Sequence, residues 1–304
     1  MKISIIGSGN VGATLAKRVA ESELADCVLL DVVKGVPQGK ALDLLHAAPS
    51  VGYQKKITGT NDYNDTKGSD IVVVTAGFPR QPGMSRGDLV KKNGSIIKAV
   101  IKNIKTTSPN AILIIITNPL DAMAYLAYKE SGFDKSRVIG MAGTLDTTRF
   151  KYILASEFGV KYKDVETIVL GQHGPSMVPL LSHTRISGKP ITEMAKKDKL
   201  EELKNKVRES GAKIVGLLGK GSAYYAPSAA CFEMIKAIVA NNDKILSVSC
   251  LAQGEYGISG VFTGLPVRLG RKGIKEIVKL NIEADELKAL KESADSVKEM
   301  ISTL

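Results

Sequence analysis

The sequence has few cysteines and no long hydrophobic run. Its 304 residues include 3 cysteines, and these lie far apart at positions 27, 231 and 250. An odd number of separated cysteines gives neither a disulfide framework nor the spacing of a metal site, so no metal is predicted. The apolar stretch at 111–116 is too short to cross a bilayer, and the run before Gly7 is too short for a signal peptide. We therefore expect a cytoplasmic protein without a membrane partner.

Acidic residues are outnumbered, with 31 Asp and Glu against 42 Lys and Arg, which gives a formal net charge of +11. Such a balance is found in nucleic-acid-binding proteins. Here, however, the lysines are scattered, many alternate with glutamates at 283–304, and no nucleic-acid-binding motif is present. The charge indicates a solvated basic surface, or weak attraction of anionic metabolites, and no nucleic-acid partner is predicted.

Short apolar runs alternate with amphipathic stretches over the first 142 residues. This pattern predicts βαβ units and a doubly wound parallel sheet. The predicted strands lie at 2–6, 27–31, 70–75, 111–117 and 137–140. The predicted helices lie at 10–21, 38–47, 88–104 and 120–131, and Pro49 is expected to end the second of them.

The pattern changes beyond residue 142, which predicts a second, α+β domain over residues 143–304. Helices are predicted at 145–158, 198–218, 226–240 and 283–304. Strands of a separate sheet are predicted at 164–170 and 177–186, with a hairpin at 245–253 and 261–269.

A glycine-rich motif, G-S-G-N-V-G, follows the first strand and opens the first helix. Glycines there permit a tight turn and close approach of a diphosphate, which the free N–H groups of the helix bind. Asp31 ends the second strand, where a carboxylate accepts hydrogen bonds from ribose hydroxyls and repels a 2′-phosphate. Although Lys34 lies nearby, NAD is favoured over NADP, within a Rossmann domain at 1–142. The predicted cofactor-binding residues here are Gly7, Ser8, Gly9, Asn10, Val11, Gly12 and Asp31.

His173 stands in a glycine-flanked loop, G-Q-H-G, after a predicted strand. Loops at the carboxyl ends of strands are where sites form, and Asn118 closes another strand in the same way. Asp146 and Arg149 lie three residues apart at the start of a helix and share one face. A catalytic group is one interpretation of these residues; a packed histidine and a surface ion pair are the alternatives.

The loop at 77–87 overhangs the same edge of the predicted sheet. Its sequence, G-F-P-R-Q-P-G-M-S-R-G, excludes a regular element because of its prolines and glycines, yet it carries Arg80 and Arg86. A mobile lid that brings positive charge onto a bound ligand explains this composition. A merely exposed loop is the alternative.

Taken together, these segments resemble the lactate/malate dehydrogenase family. The matches occur in the family's order and cover essentially the whole chain, with G-S-A-Y-Y-A-P at 221–227 as a further match. Besides the two glycine-containing motifs and Asp31, they are V-T-A-G-F-P-R-Q-P-G-M-S-R at 74–86, I-T-N-P at 116–119 and G-T-L-D-T-T-R at 143–149. The resemblance implies hydride transfer between NAD(H) and a 2-hydroxy acid.

The resemblance also implies roles for individual residues. His173 would be the proton donor and acceptor, with Asp146 as its orienting carboxylate. Arg149 would bind the substrate carboxylate, Arg86 would polarise the carbonyl, and Asn118 would contact substrate and cofactor. Further cofactor contacts on the nicotinamide side would come from Asn93, Ile116, Thr117 and Asn118.

Arg80 decides the predicted substrate within the family. Lactate dehydrogenases resemble this loop but carry Gln at that position. A guanidinium receives the second carboxylate of oxaloacetate bidentately, whereas pyruvate would leave an enclosed charge unpaired. We therefore predict malate/oxaloacetate as the dicarboxylate substrate. The resemblance further implies a role in the tricarboxylic acid cycle and a homodimer or homotetramer.

Three alternatives stay open. A one-residue shift of the loop would place Gln81 rather than Arg80 opposite the substrate, although the positions of Pro79 and Pro82 argue against it. The second alternative is an enzyme of the same fold, a lactate or other 2-hydroxyacid dehydrogenase. Outside the enzymes, the protein would be an NAD-binding basic scaffold protein.

Overall fold

The computed structural model describes residues 1–79 and 86–304, and of residue 86 only the backbone. Within these ranges the strands are β1 (Lys2–Ile6), β2 (Asp26–Leu30), β3 (Ile57–Thr60), β4 (Ile71–Val74), β5 (Ile112–Ile115), β6 (Val138–Gly140), β7 (Val165–Glu166), β8 (Val169–Leu170), β9 (Val178–Pro179), β10 (Arg185–Ile186), β11 (Lys189–Pro190), β12 (Ile245–Gln253), β13 (Ser259–Gly270) and β14 (Gly273–Ile277). The helices are α1 (Asn10–Glu21), α2 (Val36–Val51), α3 (Arg86–Thr107), α4 (Leu120–Ser131), α5 (Gly143–Phe158), α6 (Ile191–Met194), α7 (Lys197–Leu218), α8 (Tyr225–Ala240) and α9 (Ala284–Ile301).

A nine-stranded sheet runs through the described structure in the order β14-β13-β12-β6-β5-β4-β1-β2-β3. Strands β1 to β6 are parallel to one another. The chain winds in one direction from β1 to β3 and in the other from β4 to β6, so the switch point lies between β1 and β4. This confirms the predicted doubly wound parallel sheet.

The predicted hairpin is present as β12 and β13, and it extends the sheet of the first half of the chain. Strand β12 pairs antiparallel with β6 through Ser249 and Gly140, and β13 and β14 extend the same sheet. Small residues at this junction permit the join, because a Cβ at Gly140 would lie only 2.8 Å from the Ser249 side chain. The second half of the chain is therefore built onto the first through a continuous sheet.

Two expectations about elements were wrong, and one strand was missed. The predicted strands 164–170 and 177–186 are each divided, because β7 pairs with β10 whereas β8 pairs with β9. Strand β3 was missed, since its sequence, I-T-G-T, has a weak strand pattern. Helix α2 continues through Pro49 and ends at Gly52, whose φ is 94°; a proline in the last turn removes only one backbone hydrogen bond.

Successive side chains of the parallel strands enter different cores, as the alternation of a strand requires. Val73 packs into the core on one face of the sheet, whereas Val72 and Val74 pack into the core on the other. A third cluster around Phe150 joins α5, α7 and the small sheets. Within residues 1–79 and 86–304, no helix has the length and apolar character needed to cross a membrane.

Candidate active site

The glycine-rich motif forms a tight turn between β1 and α1 in which each glycine meets different surroundings. Gly7 has a φ of +108°, and a Cβ there would lie 2.5 Å from Oγ1 of Thr75. A Cβ at Gly12 would lie 1.9 Å from the carbonyl oxygen of Gly7, so helix and turn touch directly. At Gly9, by contrast, a Cβ would meet no atom within 4 Å. The backbone at Gly9 is thus open to a ligand, which fits a diphosphate of NAD.

Asp31 lies at the edge of this turn, at the end of β2. Its Oδ2 accepts hydrogen bonds from the Ser8 backbone N at 2.7 Å and the Ser8 hydroxyl at 2.9 Å, and its Oδ1 accepts one from Val33 N at 3.1 Å. Burial disfavours the charged carboxylate, but these hydrogen bonds outweigh it and lower the pKa of Asp31. An ionised acceptor next to the glycine turn fits the ribose hydroxyls of NAD.

Two loops that follow β4 and β5 are held together by Asn93 of α3. Its Oδ1 accepts a hydrogen bond from Phe78 N at 2.7 Å, while its Nδ2 donates to the Phe78 carbonyl at 3.1 Å and the Asn118 carbonyl at 2.6 Å. Thr117 likewise donates to the Ala76 carbonyl at 2.7 Å. Asn93 and Thr117 therefore shape the edge of the site through main-chain contacts. The side chain of Asn118 itself is exposed, and Ile116 is buried.

The His173 ring meets the carboxylate of Asp146, which α5 carries. Nδ1 of His173 lies 2.7 Å from Oδ2 of Asp146, and the Asp146 side chain is buried. Burial lowers the pKa of His173, but the charge of Asp146 and its hydrogen bond outweigh burial, so the pKa is raised above 6.5. With Nδ1 held by a carboxylate, Nε2 remains to exchange a proton with a substrate.

Arg149 lies one turn along α5 from Asp146. Its Nη1 is 3.4 Å from Oδ1 of Asp146, a long contact, and the side chain is only 13% exposed. Its buried Nε has no hydrogen-bond partner among the described residues. Because buried donors are almost always paired, this group indicates a place for an anionic ligand beside His173.

The chain closely matches models and relatives of one family over its whole length. Residues 1–140 match the model for the lactate/malate dehydrogenase NAD binding domain, and residues 143–304 match that for the alpha/beta C-terminal domain. A malate dehydrogenase of Rhodopirellula baltica is 47% identical over 305 residues, which is 100% of this chain and 97% of the relative. The chain belongs to the lactate/malate dehydrogenase family. A malate dehydrogenase of a Roseiflexus species is 48% identical and covers 100% of this chain and 98% of its own.

Solved structures of this family superpose closely. Malate dehydrogenase of Cryptosporidium parvum has a TM-score of 0.96 at 39% identity and covers 99% of this chain and 98% of its own. The lactate dehydrogenase of Cryptosporidium parvum, complexed with lactic acid and nicotinamide adenine dinucleotide, has a TM-score of 0.96 at 37% identity and covers 99% and 96%. The resemblance noted from the sequence motifs, the Rossmann fold and the NAD cofactor of the N-terminal half are thus confirmed.

Two of the predicted substrate-binding residues, Arg80 and Arg86, belong to the segment 77–87 that the sequence analysis described as a loop. Arg80 lies outside the described residues. Arg86 is the first residue of α3, and its side chain also lies outside the described part of the chain. Their roles stay predictions.

Sequence reasoning missed two side chains at this site. Lys40 of α2 donates from Nζ to the carbonyl of Ser8 at 2.6 Å and so fixes the glycine turn. Asp121, in the first turn of α4, is 2% exposed and accepts a hydrogen bond from the backbone N of His173 at 2.9 Å. The signal that could have drawn attention to Asp121 is its position three residues after Asn118, in N-P-L-D. Lys40 had no signal in its own helix, because its partner lies 32 residues away.

Proposed function

We propose that this protein is an NAD-dependent malate dehydrogenase, which catalyses reversible hydride transfer between NAD(H) and malate/oxaloacetate. The observation that carries the proposal is the group of three residues formed by the His173–Asp146 pair and Arg149, whose Nε has no hydrogen-bond partner in the described part of the chain. Proton transfer and carboxylate binding are what reduction of a 2-oxo acid requires besides a hydride donor. The names of the relatives at 47% and 48% identity support the choice of malate.

Each residue of the group has a separate task in the proposed reaction. NAD(H), held by the glycine turn and Asp31, would supply or accept the hydride. Arg149 binds the carboxylate next to the reacting carbon, because its Nε can donate a charge-assisted hydrogen bond to that group. Protonated His173 donates from Nε2 to the developing alkoxide, and Asp146 stabilises the imidazolium. In malate oxidation the neutral His173 accepts the same proton.

The two arginines of the loop complete the proposal. Arg86 stabilises the developing oxyanion beside His173, and Arg80 receives the second carboxylate of oxaloacetate. Closure of the loop over the substrate would exclude water and strengthen these contacts. The support for both roles is the match of residues 74–86 to the family pattern.

Purified protein tests the proposed activity directly. NADH consumption is measured with oxaloacetate for the wild type and for H173Q, a variant that keeps a polar side chain but has no titratable ring. We expect turnover by the wild type and loss of most of the kcat in H173Q, with NADH binding retained. Equal turnover by both proteins, or none by the wild type, would reject the proposal.

We also propose that the chain works as a homodimer or homotetramer in which α2 packs against a second copy. This helix leaves apolar side chains in solvent, with Leu42 54% and Val51 52% exposed. Apolar residues gathered on one exposed helix are typical of subunit contacts. L42E, compared with L304E at another exposed leucine, is expected to lower the mass measured by light scattering. An unchanged mass would remove α2 from the interface.

The cellular setting and domain division are proposals of the same kind. We propose the cytoplasm and the tricarboxylic acid cycle, of which malate oxidation is a step; three buried, unpaired cysteines support a reducing compartment. We propose a division into an NAD-binding domain at 1–142 and a catalytic domain at 143–304, supported by the ranges of the two family matches. Cell fractionation tests the former, and limited proteolysis near residue 143 tests the latter.

A further inference from the structure

The main chain of the His173 loop is held at three consecutive N–H groups. Gly171 N donates to the Gly264 carbonyl of β13 at 2.9 Å. Gln172 N donates to the Ser293 hydroxyl of α9 at 2.8 Å, and His173 N donates to Oδ2 of Asp121 at 2.9 Å. Three elements thus fix the loop, and of the three acceptors only Asp121 can carry a charge.

The second oxygen of Asp121 is also used. Its Oδ1 accepts a hydrogen bond from the Ser249 hydroxyl of β12 at 2.6 Å. Asp121 belongs to α4 in the first half of the chain, whereas His173 and Ser249 belong to the second. The carboxylate therefore joins the two halves directly behind the histidine.

Burying a carboxylate to accept hydrogen bonds from a backbone N–H and a hydroxyl costs more free energy than burying a neutral acceptor would. Burial raises the pKa of Asp121 to about 6, while the hydrogen bonds from Ser249 and His173 act against burial. The neighbouring N–H of Gln172 is held by Ser293, a neutral hydroxyl, so the fold does not need a charge for such a contact. The charge at Asp121 must then serve something other than anchoring the loop.

We propose that Asp121 is a positioning residue for the reaction, which anchors the main chain of His173 and places a second negative charge behind its imidazolium. The anchor presents Nδ1 to Asp146 and so leaves Nε2 for the substrate. The charge favours the protonated ring. This inference rests on the proposed function, in which His173 exchanges the proton.

The charged groups around His173 come from two elements of the described structure. Asp146 of α5 raises the pKa of His173 most, Arg149 of α5 lowers it, and Asp121 of α4 raises it. Burial acts in the same direction as Arg149. Asp121 thus offsets part of the effect of Arg149 on the His173 pKa before a substrate carboxylate has neutralised the arginine.

Two substitutions separate the anchor from the charge. In D121N the amide oxygen still accepts from His173 N, and the amide N–H donates to the Ser249 oxygen, so the position is kept and the charge is lost. In D121A both hydrogen bonds are lost. S293A is the matched control for loss of an anchor without loss of charge, because it frees the adjacent Gln172 N–H.

A second control matches the buried carboxylate itself. Glu286 of α9 accepts hydrogen bonds from Ser182 N at 3.1 Å, the Ser182 hydroxyl at 2.5 Å and Glu283 N at 3.2 Å. Like Asp121, it is thus a buried carboxylate held by backbone N–H and hydroxyl donors. It forms no contact with the His173 loop among those described. E286Q therefore removes a buried charge of the same kind away from the histidine.

The test combines an NMR titration of His173 in the free protein with the pH profile of kcat for oxaloacetate reduction. We expect D121N to move the His173 titration and the profile to lower pH while keeping most of the kcat. D121A is expected to lower kcat by roughly a hundredfold, the effect of misplacing a catalytic group by about 1 Å, with little change in KM for NADH. S293A and E286Q are expected to leave the His173 titration where it is.

The outcomes are distinct. An unmoved His173 titration in D121N, or the same movement in E286Q, overturns the role of the charge. Wild-type kcat in folded D121A overturns the role of the anchor. If D121A does not fold, the His173 titration in D121N still decides whether the charge of Asp121 acts on His173. If the wild type fails to reduce oxaloacetate, the proposed function fails, but the titration in the free protein still supports or overturns the effect of Asp121 on His173.

Discussion

Nδ1 of His173 and Oδ2 of Asp146 lie 2.7 Å apart although 27 positions separate the two residues in the chain. The contact fixes the histidine ring and sets its protonation, since Asp146 is buried and accepts from one ring nitrogen only. Hydride transfer to a carbonyl requires a proton for the developing alkoxide, and with Nδ1 on Asp146 the ring can donate it from Nε2. The chemistry proposed for this chain depends on that pair.

Replacement of the orienting carboxylate should disable the pair. D146N keeps the shape of the side chain but removes the charge that stabilises the imidazolium. We expect kcat for oxaloacetate reduction to fall roughly a hundredfold or more, within the range that acid–base groups contribute. NADH binding, measured by fluorescence, should be unchanged. A kcat close to that of the wild type would show that Asp146 does not support His173.

The two directions of the reaction should depend on pH in opposite ways. Reduction needs protonated His173, whose pKa is raised above 6.5. The kcat for reduction should therefore be constant below this pKa and fall as the pH rises through it. The kcat for malate oxidation should rise over the same pH window, because it needs the neutral ring. Parallel profiles in the two directions would contradict the role of His173.

The glycine motif offers a paired prediction. G9A adds a Cβ where no protein atom lies within 4 Å, whereas G12A drives a Cβ to 1.9 Å from the Gly7 carbonyl oxygen. G9A should fold normally but weaken NADH binding by about tenfold or more, since it blocks the approach of the diphosphate. G12A should instead lower the free energy of unfolding by about 1–3 kcal/mol or more. Urea unfolding and NADH titration of both variants measure the difference.

Two outcomes would contradict the predictions for G9A and G12A. If G9A binds NADH as well as the wild type does, the open space at Gly9 is not the diphosphate site. If G12A is as stable as the wild type, the turn is looser than the contact between Gly12 and Gly7 indicates. The pair thus separates a glycine needed for a ligand from one needed for packing.

The sequence predicted the parallel strands other than β3, because an apolar strand carries its own signal. Strands buried on both faces, such as β4 and β5, are continuous apolar runs. The junction of β12 with β6 could not be foreseen, since it depends on Ser249 and Gly140, small residues 109 positions apart that have no pattern in common.

The candidate site shows the same division. The residues in family motifs, His173 and Asp146 among them, could be singled out from the sequence. Asp121 and Lys40 could not be assigned a task, because their partners, His173 N and the Ser8 carbonyl, are main-chain atoms brought close only by folding. Nearly every residue carries a main-chain N–H and carbonyl, so a side chain that binds one of these groups has no sequence pattern that identifies its partner.

Arg80 should determine the preference between substrates. R80Q removes the group proposed to receive the second carboxylate and supplies the residue found in lactate dehydrogenases. We expect kcat/KM for oxaloacetate to fall and that for pyruvate to rise, so that the preference shifts by on the order of a thousandfold. The conservative R80K should fall between the two, since an ammonium keeps the charge but cannot bind bidentately. An unchanged preference in R80Q would remove Arg80 from the substrate site.

The most direct test of the proposed function is the ratio of kcat/KM for oxaloacetate to that for pyruvate, measured with the wild-type protein and NADH. The proposed roles of His173 and Arg149 apply to any 2-oxo acid. The ratio therefore measures only the preference for a second carboxylate on the substrate. The proposed function predicts a ratio far above one, on the order of a thousand or more. A ratio near or below one would make the protein a lactate or other 2-hydroxyacid dehydrogenase.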